Sequence, residues 1–302
     1  MLKLDEITVL IATRNRIEEL KITLQKSVFL LNNENVNFII CDDASTDETY
    51  QYVKSQYPEI KLLHNKRQKG IHYCRNLMYS HVKTKYAITI DDDINFVNEF
   101  NIENITNYFE NNPECAVMAF RIFWGENLPV SLDSNEVSEQ VKSFGAGGHA
   151  INIAHLNSIP KLPEWFVFYG EEDFMAIQLF KRKKEVHYIP DLFVHHRVDL
   201  RKRKKQSDYY KRLHLSLRSG WYIYILFYPK NVILRKISYS IYSKIRFMVL
   251  KGNLRVLFIL LLGIKDVFLN YRKLVASSNR LTKEEYTNYS RLPMAKLYWK
   301  PE

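Results

Sequence analysis

Tyr86-Ala-Ile-Thr-Ile-Asp-Asp-Asp93 decides the fold. An apolar run suited to a buried strand leads straight into three carboxylates. A strand that ends in clustered acids brings several negative charges to one point at a sheet edge. Charges that close repel unless a counter-charge sits among them. A divalent cation carrying a phosphate group is the usual one. A solvated acidic turn capping a helix would use the same residues, so the neighbouring sequence has to choose.

Working towards the N-terminus, Ile60-Lys-Leu-Leu-His64, Asn37-Phe-Ile-Ile-Cys41 and Ile7-Thr-Val-Leu-Ile-Ala12 read as further strands. Helices separate them. Asn15 with Glu18, and Ser45 with Glu48, have capping-box spacing, which places helix starts there. The first of these helices should run to about Phe29 and the second to about Gln56. A third should begin near Gly70 and contain Cys74-Arg75-Asn76. Alternating strands and helices predict an α/β fold with a parallel sheet covered on both faces. Ligands bind such sheets beyond the carboxyl ends of the strands. Thr13-Arg14-Asn15-Arg16, Asp42-Asp43 and Asp91-Asp92-Asp93 all stand there. Working towards the C-terminus, Glu114–Phe120 and Val186–Ile189 read as strands, the latter followed by Phe193-Val-His195-His196. Gly145-Ala-Gly-Gly148 marks a turn or a place where a ligand approaches the backbone. Phe174–Arg182 has helical spacing.

The 302 residues suffice for one large domain or somewhat more, and the 46% hydrophobic share is that of a globular protein. Three cysteines without a CxxC pair argue against a disulfide framework or a thiolate metal site, and fit a reducing compartment. The first residues lack an export-signal pattern. No segment reaches the ~18 uninterrupted apolar residues of a spanning helix. The net charge of +11 is unevenly spread: residues 1–180 carry −9 and residues 181–302 carry +20. The basic part calls for an anionic partner. The character changes near 198–207, after which bases interleave with aromatic and aliphatic residues, as in Trp221–Tyr228.

Each candidate residue has an ordinary explanation beside a functional one. Asp42 or Asp43 would favour the following helix N-terminus, or accept from a nucleotide base or ribose. Arg75 suits a surface ion pair, or a fork for phosphate. Glu171-Glu172-Asp173 suits a helix start, or a general base whose pKa is lifted by apolar neighbours such as Trp165 and Phe168. His195-His196 suits one core and one surface histidine, or an imidazole completing a metal shell. Arg201–Lys205 suits a solvated face, or a site for diphosphate or lipid headgroups.

In order, these features resemble glycosyltransferase family 2 with its GT-A fold, over residues 4 to about 200. Val9–Arg16 is similar to the family's first strand and nucleotide loop. Ile40–Asp47 is similar to its second signature, whose first acid, here Asp42, contacts the base. Gly70–Asn76 matches its glycine-to-Arg-Asn helix and implies a phosphate-side role for Arg75. Asp91-Asp92-Asp93 matches the DxD motif, with Asp93 the implied direct metal ligand and Asp91 beside it. Gly170–Phe174 resembles the motif holding the catalytic base, implying Asp173 first and Glu172 next. An extra acid there leaves the register open by one, Tyr73-Cys74 replaces the usual small residues, and the tandem His195-His196 leaves open which one reaches the metal.

The resemblance implies an inverting, Mg²⁺- or Mn²⁺-dependent transfer of sugar from a UDP-, GDP- or dTDP-linked donor. The acceptor would be a hydroxyl of a glycan or lipid-linked molecule in surface polysaccharide synthesis. The expected layout is a GT-A domain over 1–200 and a basic, mainly helical extension over 207–302. Interleaved bases and apolar residues suit an interfacial helix. The expected location is therefore cytoplasmic, peripheral on the inner face of the cell membrane, with anionic lipid and no nucleic acid as partner; no nucleic-acid module is recognisable. Three rival readings fit less well. A haloacid dehalogenase-type phosphatase wants Thr or Val where Asn95 stands. A sugar nucleotidyltransferase wants a glycine-rich basic loop after the first strand. An inactive membrane scaffold would have no use for acids at both sites.

Overall fold

The computed structural model describes residues 7–129, 131–294 and 297–298. The start of the chain, read above for an export signal, lies outside them, as does the Arg201 side chain of the basic run. The elements in chain order begin with β1 (Ile7–Thr13), α1 (Ile17–Lys26), α2 (Val28–Leu31), β2 (Val36–Asp42), α3 (Thr49–Gln56), β3 (Lys61–His64) and α4 (Ile71–His81). There follow β4 (Tyr86–Asp91), β5 (Ile94–Phe96), α5 (Ile102–Asn111), β6 (Cys115–Trp124), β7 (Glu139–Val141), β8 (Gly148–Asn152), α6 (Ile153–Asn157), α7 (Glu171–Phe180) and β9 (Glu185–His196). Last come α8 (Leu200–Arg203), α9 (Tyr209–Phe227), α10 (Lys230–Lys244), α11 (Arg255–Ala276), α12 (Lys283–Arg291) and β10 (Leu297–Tyr298).

The strands form one sheet in the order β3-β2-β1-β4-β8-β6-β9-β5, with β7 on β9 and β10 on β6. The first four are parallel, as expected. The sheet as a whole is mixed: β8 is antiparallel to both β4 and β6, and β5 is antiparallel to β9. Period-two alternation sorts the side chains. Leu10, Ile39, Cys41 and Ala87 enter one core cluster, whereas Val9, Ile11, Phe38, Ile40, Ile88 and Ile90 enter the other. Both faces are therefore covered, which is why these strands are continuously apolar.

Neither expected capping box forms. Asn15 lies in the left-handed region at φ 53° and Arg16 takes the N-cap position of α1. The two loops brace each other instead. Asn15 N donates to Ser45 Oγ, Thr46 N donates to Asn15 Oδ1 at 2.6 Å, and Ile17 N donates to Asp47 Oδ2. Asp47 also accepts from the Thr49 amide at the start of α3. Capping residues are thus supplied partly across the loop pair, which local spacing cannot show.

The basic extension is helical from α8 to α12, but it is not a separate layer. Tyr222, Leu226, Phe227, Leu274 and Tyr289 belong to the same buried cluster as Leu10 and Ala87 of the sheet. A smaller cluster joins α9 to α11 through Leu217, Trp221, Val256, Ile259 and Leu260. There the helices cross closely: a Cβ on Gly263 would stand 2.9 Å from the Trp221 ring.

Candidate active site

Strand register builds the site. Thr13 pairs with Asp42 and Ala12 with Asp91, so the polar ends of β1, β2 and β4 form one row at the carboxyl edge. Antiparallel β8 enters beside β4 with Gly148 opposite Ile90, which lays the Gly145–Gly147 turn against Asp91. The Asp91 amide donates to Gly147 O at 3.1 Å. A Cβ on Gly147 would lie 2.6 Å from Asp91 Oδ2 and 2.7 Å from Ile94 Cδ1. The glycine makes room for the aspartate.

Within the triplet the three acids diverge. Asp92 accepts from Thr13 Oγ1 at 2.8 Å and meets Arg16 Nε at 3.2 Å, so it fastens the β1–α1 loop. Burial and the neighbouring Asp93 charge push it up to about 7 against the pull of Arg16. Asp93 meets Arg16 Nη2 at 2.6 Å and His196 Nε2 at 3.1 Å. Burial opposes its ionisation, but His196 and Arg16 outweigh that and hold its pKa below the usual carboxylate range. Asp91, Asp93 and His196 each offer a ligand atom, all within 4.8 Å of one another. Two carboxylates and one imidazole suit a divalent cation.

His196 and His195 are separated by strand alternation. β9 returns beside β5, pairing His196 with Ile94 and His195 with Asn95. The His195 Nε2 donates to Gly125 O at 2.7 Å, away from the acids. Of the tandem pair considered for the metal, only His196 is brought to it.

Arg75 is buried at 2% exposure, and its fork is divided between Asp91 at 3.0 Å and Glu171 at 3.1 Å. It lines the cleft, but it ties the metal-side acids to α7 rather than offering an open fork. One turn earlier on α4, His72 Nε2 meets Glu171 at 2.5 Å while its Nδ1 faces Pro163 O. Burial alone would raise Glu171; Arg75 and His72 prevail and hold it at about 2. Sequence reasoning missed His72, although its spacing of three from Arg75 places both on one helix face.

The acids at 171–173 occupy the first turn of α7, three residues earlier than the helical spacing suggested. Gly170 leads in with φ +87°. Glu172 and Asp173 line the cleft with Glu171. Among the described residues Glu172 makes no ion pair; burial and the charges of Glu171 and Asp173 push it up to about 8. Burial raises Asp173, and the nearby charge of Lys142 only partly offsets it. The apolar neighbours differ from expectation: Phe168 lines the cleft, whereas Trp165 packs on Phe166 and Tyr222.

Asp42 is fully buried and spent inside the fold, accepting from Ser45 N and facing His64 Nδ1 at 2.9 Å. Asp43 lines the cleft. It accepts from Asn65 Nδ2 and from the amides of Lys69 and Gly70, each at 2.8 Å. Thr13, Arg14 and Arg16 also line the cleft; Asn15 serves the loop brace. The cleft holds about 760 Å³. It joins the triplet and His196 to the α7 acids and, on its far rim, to Arg203, Lys211 and Arg212.

Solved structures place this architecture among GT-A glycosyltransferases. GalNAc-T7 with UDP, GalNAc and Mn²⁺ superimposes with TM-score 0.60 at 13% identity, covering 76% of this chain and 49% of that one. S. aureus TarS 1–349 with UDP-GlcNAc gives 0.59 at 15%, covering 90% and 84%. The mannosyltransferase PcManGT from Pyrobaculum calidifontis, with GDP-Man and Mn²⁺, gives 0.55 at 12%, covering 94% and 83%. This chain thus spans about half the length of GalNAc-T7 and most of the other two. Glycosyl transferase family 2 matches residues 8–161, and the chain belongs to that family. No curated protein matches it.

Proposed function

We propose that the chain transfers a sugar from a nucleoside diphosphate to an acceptor hydroxyl with inversion. One observation carries this reading: a single cleft joins Asp91, Asp93 and His196 to the acids of α7. Asp91, Asp93 and His196 would hold the cation, and the imidazole among them favours Mn²⁺ over Mg²⁺. A cation there supplies charge stabilisation to the departing diphosphate. Arg14, Arg16 and Asp43 border the donor side. Neighbours crystallised with UDP, UDP-GlcNAc and GDP-Man support a nucleotide-linked donor.

The acceptor oxygen attacks the anomeric carbon and forms the new C–O bond. The old C–O bond to phosphate breaks and its electron pair leaves with the diphosphate. The hydroxyl proton passes to a carboxylate of α7. Glu172 fits that part best, because Glu171 is spent on Arg75 and His72, and burial beside the charges of Glu171 and Asp173 makes Glu172 the readier to take a proton. One base and one displacement invert the centre; a retaining route wants a second carboxylate placed as nucleophile. A thermal-shift panel of UDP-, GDP- and dTDP-sugars with and without Mn²⁺ tests the reading. A donor-specific shift that needs Mn²⁺ and vanishes in Asp93→Asn supports it; shifts indifferent to Asp93 refute it.

We further propose a GT-A unit over 1–200 and a membrane-facing unit over 207–302, acting in surface polysaccharide synthesis on the cytoplasmic face of the membrane. Leu257, Phe258, Leu261 and Phe268 lie along one side of α11 and are 43–81% exposed. Arg255, Lys265 and Lys251 flank them. No helix among the described residues is long and apolar enough to cross a membrane. An exposed apolar stripe between bases suits a helix lying at an anionic lipid surface. Because α9 shares the sheet's core, the test uses the full chain and not a truncation at 200. Leu257→Glu/Leu261→Glu/Phe268→Glu should abolish flotation with anionic vesicles; unchanged flotation refutes the membrane face.

A further inference from the structure

The segment that leads into the α7 acids has an unusual backbone. A single helical turn, Glu164–Phe166, is followed by Val167 at φ 68° and ψ −48°. Across it the Phe168 amide donates to Phe166 O at 2.8 Å, closing a γ-turn of the rare, strained hand. Tyr169 follows at φ 67° and Gly170 at φ 87°. Positive φ suits glycine and disfavours a β-branched residue most of all. Burial of its own side chain does not hold Val167 there, since the residue is 44% exposed. Yet Val167, Phe168 and Tyr169 all wall the cleft, and Gly170 O accepts from Phe174 N in the first turn of α7. The turn therefore sets where Glu171, Glu172 and Asp173 stand.

Two helices hold this segment from outside. From α4, Asn76 Nδ2 donates to Leu162 O at 2.9 Å and Asn76 Oδ1 accepts from Leu162 N at 3.0 Å. The start of α4 also abuts the turn: a Cβ on Gly70 would stand 2.9 Å from Val167 O. From α9, Arg218 Nη2 donates to Phe166 O, the same carbonyl that closes the γ-turn, and Ser219 Oγ donates to Phe168 O at 3.0 Å. Arg218 is braced in its turn. Its Nη1 lies 3.6 Å from Asp266 Oδ2 on α11, and its guanidinium stands over the Tyr222 ring. A tie between α9 and α11 is the ordinary use of such an arginine, but His214 already supplies one, 3.0 Å from the same Asp266 oxygen. Arg218 reaches past that pair to the main chain of the cleft wall. Resting on the sugar-transfer reading, the geometry points to Arg218 as a positioning residue. It holds residues 166–170 in a shape the chain by itself disfavours, and so fixes the first turn of α7, with Glu172, against the bound donor. Strained residues persist only where their surroundings over-determine them, and Arg218 and Ser219 supply that constraint here. A base displaced by about 1 Å loses much of its effect on the barrier.

The test compares Arg218→Met in the full chain and in its Val167→Gly variant, because glycine takes the φ of the turn without strain. Amide hydrogen exchange needs no substrate. In Arg218→Met, exchange over residues 166–174 should quicken at least about tenfold while residues 86–91 of β4 keep their rate. Turnover is read as nucleoside diphosphate released with Mn²⁺ from the donor that the thermal-shift panel selects. Arg218→Met should lower kcat at least about tenfold and leave the donor KM within about threefold. In Val167→Gly the same substitution should cost kcat less than about threefold, a coupling that a general loss of stability would not show. Equal losses in the two chains overturn the proposal, since Arg218 would then act elsewhere than through the turn. Ser219→Ala leaves the Asp266 pairs intact and should act in the same direction as Arg218→Met. It decides the matter if Arg218→Met does not fold: unchanged exchange over residues 166–174 in Ser219→Ala overturns the proposal. If the donor turns over while neither exchange nor kcat responds to Arg218→Met, the role of Arg218 alone falls. If exchange responds as expected while no donor shifts or turns over, the turn is held as inferred and the transfer reading falls.

Discussion

At the sheet edge Arg75, Asp92, Asp93 and Glu171 are each 6% exposed or less, and every one of these charges meets a partner. On α11, Leu257, Phe258 and Leu261 are between 43% and 64% exposed. Both regions depart from the usual inside-apolar, outside-polar rule, in opposite directions. The buried charges are held by one another in a fixed geometry, which is what a preorganised site requires. The bared apolar residues leave much of their surface to solvent, which is what a docking face requires. In the first region, losing a partner harms the chain itself. In the second, a polar substitution should harm only what the chain meets.

The largest effect expected is at the acids. Asp93→Asn should lower kcat/KM more than ~100-fold and remove the Mn²⁺ dependence of nucleotide binding. Glu172→Gln should lower kcat by about 10²–10⁴-fold with nucleotide binding kept, and Asp173→Asn by less. The reverse order would move the base to Asp173. Arg75→Met leaves Asp91 and Glu171 buried without their cation. A loss of about 3–5 kcal/mol in urea unfolding should follow; a loss under 1 kcal/mol would show that the buried network is not what holds the edge.

The next test is pH. Glu172 must be ionised to accept a proton, and it holds its own proton to about pH 8. Activity should therefore climb through a limb near pH 8 that Glu172→Gln lacks. The stability signs run oppositely for the two neighbours. Glu171, held at about 2, contributes stability above its unfolded pKa that is lost as pH falls through about 2. Glu172 contributes stability below its unfolded pKa that is lost as pH rises through about 8. The smallest effect on the chain is expected on α11. Leu257→Glu should lower the free energy of unfolding in urea by no more than about 0.5 kcal/mol, as exposed positions do. A larger loss would mean that α11 packs against more than the described residues.

Much of the site was legible because strands have a period of two and end where apolar residues stop. Asp91–Asp93, Asp42-Asp43 and Thr13–Arg16 were placed at strand tips on that ground alone. The exceptions are instructive. Asn15 and Ser45 have helix-capping chemistry, yet they cap across two loops that meet only because β1 and β2 are adjacent. Asp42 carries the expected acid, but Ser45 and His64 close over it and Asp43 takes the cleft. His72, three residues before Arg75, went unread because nothing near it in sequence reveals Glu171 as its partner.

The linear order of residues determined that strands and helices alternate, that acids stand at the strand ends, and that a basic helical stretch follows. Those properties depend on residue type and short spacing, which any segment carries with it. Tertiary structure alone decided which of Asp91, Asp92 and Asp93 turn together, that His196 rather than His195 joins them, and that Arg75 faces two carboxylates. It also decided which side of α11 is left bare. Each of these depends on where antiparallel β8, returning β9 and packed α9 come to lie, and such pairings bring together groups tens to hundreds of residues apart whose meeting no local pattern encodes.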